Sequence, residues 1–244
     1  MKKLIALLLC AMFCFGLFGC RHECSFEEGW LFDEEYHWRE CSDGICENYI
    51  EKDGHVYENG YCNVCERQSP TFITATQWSD ALNIFEEDFQ LKYTYKLGAQ
   101  ETTYTITRIG NNICVEYGAK DTERFYLNKN ENEYFRYDYV EDKWVRTESN
   151  KEEYDSCVKI EFKDFNYEWF SYDQKKKEFF VEFVDKTVSL QNYDIINASF
   201  EFKDKKLMAL KYTKVYGSYE ENYKANIAYE KLQLRLPQIN SELN

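Results

Sequence analysis

The sequence predicts a mainly β protein: a large, curved antiparallel sheet forming an open half-barrel with two helices, preceded by a small Cys/His module. Three observations lead there. Aromatic residues make up 18% of the 244 residues, with 21 Tyr and 18 Phe against only 2 Pro; Tyr and Phe favour strands, and Pro would interrupt them. From Leu91 onward, apolar and polar residues alternate in runs separated by turn residues, the period of half-buried strands. All three His and five of the ten Cys fall between residues 22 and 65, a concentration that points to a metal or to disulfides. A hydrophobic content of 44% is enough for a core and excludes wholesale disorder. The net charge of −14 argues against a nucleic-acid binder, because a phosphate backbone would repel it.

The first element is an address. Lys2 and Lys3 precede an apolar run from Leu4 to Gly19, a positively charged start followed by a hydrophobic stretch too short to span a bilayer as a stable helix. The run ends Leu17-Phe18-Gly19-Cys20, which resembles a bacterial lipobox. That resemblance implies a lipoprotein whose signal peptide, residues 1–19, is cleaved before Cys20, with diacylglycerol joined to the Cys20 sulfur. The expected location is the extracytoplasmic face of the cell membrane. Paired acyl chains would hold the protein there, since a chain this acidic gains nothing from anionic lipid.

Residues 20–69 carry the lipidated N-terminus and the Cys/His module. The spacing is His37-x3-Cys41-x4-Cys46-x8-His55-x6-Cys62-x2-Cys65. Two Cys pairs 15 residues apart follow zinc-ribbon arithmetic, although the first pair is wider than Cys-x2-Cys. Asp43-Gly44 and Asn59-Gly60 supply turns beside the pairs,. The segment is too small and polar to fold on a core of its own, so a metal or disulfides must hold it. The expected ligands of a structural zinc are Cys41, Cys46, Cys62 and Cys65, with His37 and His55 as substitutes or as outer partners of the ligands. Disulfides are the alternative in an oxidising compartment. Cys24, Cys41, Cys46, Cys62 and Cys65 are an odd number, however, so pairing leaves one over,. Trp30, Asp33-Glu34, Tyr36-His37-Trp38, Cys41, His55-x-Tyr57, Gly60-Tyr61-Cys62 and Cys65 together resemble a repeat found in surface proteins of anaerobic bacteria.

Pro70 marks the passage into the third segment, residues 70–244. A helix is expected over Thr76–Phe85, with Trp78, Ala81, Leu82 and Phe85 on one face,. About ten strands in consecutive hairpin order follow. The runs with strand signals are 91–97, 104–109, 113–117, 124–127, 134–140 and 143–146, then 166–172, 178–184, 198–202, 207–212, 223–229 and 232–236,. Turns such as Gly110-Asn111-Asn112 and Asn128-Lys129-Asn130 separate them,. Ser149-x-x-Glu152 reads as a capping box opening a second helix to about Phe162, with Tyr154, Cys157, Val158 and Phe162 inward,. If that helix covers the sheet, Cys114 and Cys157 could meet as a disulfide; otherwise each is a small buried apolar residue.

The Trp78-x-x-Ala81-Leu82 opening, Phe170-x-Tyr172-Asp173, Phe200-x-Phe202-Lys203-Asp204-x-x-Leu207 and a final Leu234-x-Leu236-Pro237 resemble the periplasmic lipoprotein-carrier family. That resemblance implies a curved, unclosed sheet with helices across its hollow, where acyl chains bind. Catalytic residues are not expected. The large segment has no His for a Ser-His-Asp arrangement, and its Gly residues stand singly rather than in a phosphate loop,. Three functions are therefore carried forward: a non-catalytic lipoprotein binding an apolar or amphipathic ligand in the sheet, a surface interaction or adhesion protein using the sheet as scaffold, and, least favoured, a carboxylate hydrolase.

Overall fold

The computed structural model describes residues 24–26, 28–42, 49–84, 87–118, 120–157, 162 and 165–239. The leader, Cys20 and Cys46 lie outside these residues, as do Phe85 and Val158, which were expected on helix faces. The chain divides into two compact units. One runs to Tyr57 and includes Tyr61–Arg67; the other takes Glu58–Gly60 and the chain from Gln68.

The smaller unit is built on a three-stranded antiparallel sheet of β1 (Leu31–Phe32), β2 (Tyr36–Glu40) and β3 (Tyr49–Gly54). Asp33 shapes the turn into β2: its carboxylate accepts from the N–H groups of Tyr36 at 2.7 Å and Glu35 at 2.8 Å. Side-chain capping of this kind is why Asp initiates turns. Alternation along β2 buries His37 and leaves Tyr36 exposed,. Further on, β4 (Tyr57–Glu58) and β5 (Tyr61–Cys62) flank the Asn59-Gly60 turn. Both turn residues have positive φ, 50° and 85°, the conformation a tight hairpin requires and Asn-Gly tolerates.

The larger unit contains one eleven-stranded antiparallel sheet. Its first meander is β6 (Phe89–Leu97), β7 (Gln100–Ile109), β8 (Asn112–Glu116), β9 (Arg124–Asn130), β10 (Glu133–Val140) and β11 (Lys143–Glu148). Its second is β12 (Ser171–Asp173), β13 (Glu178–Val184), β14 (Asp194–Lys203), β15 (Lys206–Tyr216) and β16 (Tyr219–Ala228). The expected single run of consecutive hairpins is corrected here. The two meanders join through their first and last strands, β6 and β16, giving the order β11-β10-β9-β8-β7-β6-β16-β15-β14-β13-β12. Leu91 faces Ile227 and Tyr93 faces Ala225 across that seam. The sheet stays open, with β11 and the three-residue β12 as its edges. Residues 232–236, expected as a last strand, form none.

Among the described residues, three α-helices accompany the sheet. α1 (Ala75–Leu82) buries Trp78, Ala81 and Leu82, as its period requires,. Trp78 lies among the rings of Phe170, Phe179, Phe200 and Phe202 at 5.1–5.5 Å. Its Nε1–H donates to the Phe165 carbonyl at 2.7 Å. α2 (Lys151–Ser156) is shorter than expected, and its cap is Asn150 rather than Ser149: the Asn150 side chain accepts from the Glu153 N–H at 2.9 Å. The Ser149 hydroxyl instead donates to the Glu153 carboxylate. α3 (Lys186–Ser189), a single turn capped by Asp185, was not anticipated.

A Cys114–Cys157 disulfide is not formed; both are free thiols. The pleat explains this. Ile113 and Val115 belong to the core side of β8, so Cys114 between them points to the opposite face,. Cys157, at the end of α2, packs against that core. The sheet itself stands between the two sulfurs.

Candidate metal centre

Four side chains of the smaller unit converge: His37, His55, Cys62 and Cys65. Their ligand atoms all lie within 4.8 Å of one another. Each is placed by a local cause. His37 is turned inward by the β2 pleat and is 3% exposed. The β2–β3 pairing carries the end of β3 back beside β2, with Tyr36 opposite Gly54, so His55 arrives next to His37 with ring centroids 5.4 Å apart. Cys62 and Cys65 come from a tight Cys-x2-Cys turn. There the Glu66 N–H donates to the Cys62 carbonyl at 3.0 Å, and the Cys62 N–H donates to the Arg67 carbonyl at 2.8 Å. Glu66 takes a positive φ of 59° to close it.

The contacts orient the donors. Cys65 Sγ lies 3.4 Å from His55 Nδ1, and Cys62 Sγ lies 3.9 Å from His37 Nδ1. On the far side of its ring, His55 Nε2 lies 3.2 Å from the Asp33 carbonyl. A proton donated there leaves Nδ1 free to ligate, the outer-partner arrangement that fixes a ligating His. Trp30 closes on the His37 ring edge-on at 4.9 Å. Burial raises the Cys62 thiol, but the Cys65 N–H, His55 and the Val64 N–H outweigh it and bring the thiol down to about 6. The Cys65 thiol is raised, mainly by burial.

Two thiolates and two imidazoles form a four-donor set suited to a divalent metal. A tetrahedral site with arms of about 2.0–2.3 Å has edges of about 3.3–3.8 Å. The longest separation here must therefore contract by about 1 Å, which side-chain rotation can supply. Four protein donors on one tetrahedral ion would leave no open position,.

Of the expected ligands, Cys62 and Cys65 are brought together. His37 and His55, expected as substitutes or outer partners, join them in the cluster. Cys41 is not one of the four; it is buried and bridges to Phe26 in a short antiparallel contact. Cys46 lies outside the described residues. Cys62 and Cys65 are not joined in a disulfide. The signal for His37 was its spacing from the cysteines, but choosing it over Cys41 required the pairing of β2 with β3. The chain matches no known protein-family model and no curated protein.

Proposed function

We propose that this is a membrane-anchored, extracytoplasmic, non-catalytic lipoprotein whose small unit is a zinc-held recognition module. The sheet serves as its scaffold. The observation carrying this reading is the set of two thiols and two imidazoles on a unit that exposes several large apolar side chains. Leu31, Phe32, Tyr36, Tyr49, Ile50 and Val56 are each 37–61% exposed, in a segment with little core of its own. Exposed apolar side chains on a unit this small suit contact with a partner, and a metal provides the folding energy that a small module lacks. Zinc is the metal that matches this donor set, and Cys20 carries the lipid that anchors the chain.

The reading in which the sheet binds an apolar or amphipathic ligand rests on a different observation. The sheet face under α1 is occupied by the protein's own rings, with Trp78 only 5% exposed. Elsewhere on that face, Tyr95 and Tyr223 donate to the Glu221 carboxylate at 3.2 and 2.5 Å. Hydroxyls so placed suit an amphipathic ligand better than an acyl chain.

Elemental analysis of protein purified without chelator tests the module, with about one zinc per chain expected. Less than about a tenth, with mass-detected disulfides among the cysteines, overturns it. Growth on labelled palmitate tests the anchor; an unlabelled mature protein overturns that part. Lipid co-purifying in native mass spectrometry would shift the choice to the ligand-binding sheet.

A further inference from the structure

The smaller unit also holds an aromatic cage. The Lys52 ammonium sits over three rings: Tyr36 at 5.1 Å, Tyr49 at 5.2 Å and Trp38 at 5.3 Å from Nζ to centroid. Regular strand geometry would not place it there. Tyr49 and Lys52 are three residues apart on β3, so an unbroken pleat would point them to opposite faces. The β2–β3 register shifts between His37 and Arg39, and Glu51 opposite takes a positive φ of 55°. This bulge returns Lys52 to the face of Tyr49, Tyr36 and Trp38. A glutamate held in the left-handed region is strained, and the strain is spent on bringing a cation to the rings.

The surroundings favour positive charge. The Trp38 Nε1–H donates to the Glu40 carboxylate at 3.0 Å. Lys52 makes no ion pair among the described residues; the rings are its partners. Tyr36 is 40% and Tyr49 55% exposed, so the cage opens to solvent. A flexible four-carbon stem lets the ammonium leave without disturbing the strands.

We infer that Tyr36, Trp38 and Tyr49 form a binding site for a quaternary-ammonium group, such as a choline moiety, with Lys52 as its internal occupant in the unliganded protein. Three electron-rich ring faces around one cation are how such groups are recognised, and a methylated ammonium is less costly to desolvate than the lysine it replaces. The inference narrows the recognition role proposed above to a chemical class and rests on it. A zinc-replete Lys52→Ala chain that fails to bind the cation overturns the cage alone.

The test uses the full, zinc-replete chain with choline chloride as probe, followed by calorimetry and by NMR of the Tyr and Trp resonances. The Lys52→Ala variant removes the internal competitor and should bind choline about tenfold more tightly than the unaltered chain. It should bind choline well above 3,3-dimethyl-1-butanol, the neutral compound of the same shape. Adding Tyr49→Ala, or separately Trp38→Ala, should reduce choline binding to the level of the neutral compound. Should Trp38→Ala lose its zinc, the exposed Tyr49 position still decides. Phosphatidylcholine vesicles competed by free choline would place the group on a lipid headgroup; binding of free choline without vesicle binding would place it on a soluble or polymer-borne ligand. A Lys52→Ala chain that retains its zinc and binds neither the vesicles nor choline in preference to the neutral compound refutes the inference.

Discussion

Replacing Trp78 with alanine tests how the sheet is closed on its covered face. The indole is almost fully buried, is surrounded by four Phe rings, and donates one hydrogen bond to the Phe165 carbonyl. Burying about 200 Å² of aromatic surface is worth about 5 kcal/mol at about 25 cal/mol per Å², in line with the roughly 3–5 kcal/mol that aromatic-to-alanine changes cost in cores. Orphaning the carbonyl adds about 1 kcal/mol. Trp78→Ala should therefore destabilise the larger unit by about 4–6 kcal/mol. In a domain of this size, that lowers Tm by about 10–20 °C. Trp78→Phe keeps most of the ring burial and loses the hydrogen bond, so it should cost about 1–3 kcal/mol. Denaturant unfolding followed by far-UV circular dichroism measures both, provided the slope is unchanged. If Trp78→Ala shifts stability by less than about 1 kcal/mol, α1 does not close this face. The space beneath it would then be a candidate hollow for ligand after all.

Three other outcomes are expected. Cys62→Ser should abolish stoichiometric zinc, whereas Cys41→Ser should leave it in place; elemental analysis of the two variants separates the His37-His55-Cys62-Cys65 set from an all-cysteine one,. Burial pushes the Cys114 thiol up to about 12 and also raises that of Cys157. Both should resist alkylation at pH 8 in the folded protein and react after unfolding, without prior reduction; a mass consistent with a Cys114–Cys157 bond refutes this. Glu153 is held below its usual range, first by the Ser149 hydroxyl and then by Arg136, which it meets at 2.7 Å. Its folded value lies below its unfolded one, so its contribution is present above about pH 4.3 and is lost as the pH falls through the folded value. Glu153→Gln should flatten the acid limb of the stability curve by a small amount, because the pair is partly solvated,; an unchanged limb refutes the link.

Local signals in the sequence located what depends on near neighbours. Alternation gave strands over 91–97 and 113–115, with Leu91, Tyr93 and Ile113 buried, although Leu97 at the end of its strand is exposed; a pleat has only two faces. The stripe of Trp78, Ala81 and Leu82 gave α1 for the equivalent helical reason. The joining of β6 to β16 left no such trace: each strand alternates whichever neighbour it finds, and the partners are separated by more than a hundred residues. The metal centre shows the same boundary. Cys62-x2-Cys65 is legible because one turn brings both thiols together, whereas His37 and His55 meet only through the β2–β3 pairing. The Lys52 cage was invisible because it depends on a bulge at Glu51, a residue with no preference for positive φ.

The seam between β6 and β16 has a consequence for how the chain is made. β6 emerges more than a hundred residues before β16, one of its two sheet partners. Until then, the first meander exposes an unsatisfied row of amides and carbonyls beside apolar Leu91 and Tyr93, an invitation to pair with another chain. Contacts so distant in sequence also slow the final zipping. A chain truncated before Tyr219 would hold this edge open permanently. Its defect should appear as aggregation during folding rather than as the loss of a few contacts at one end.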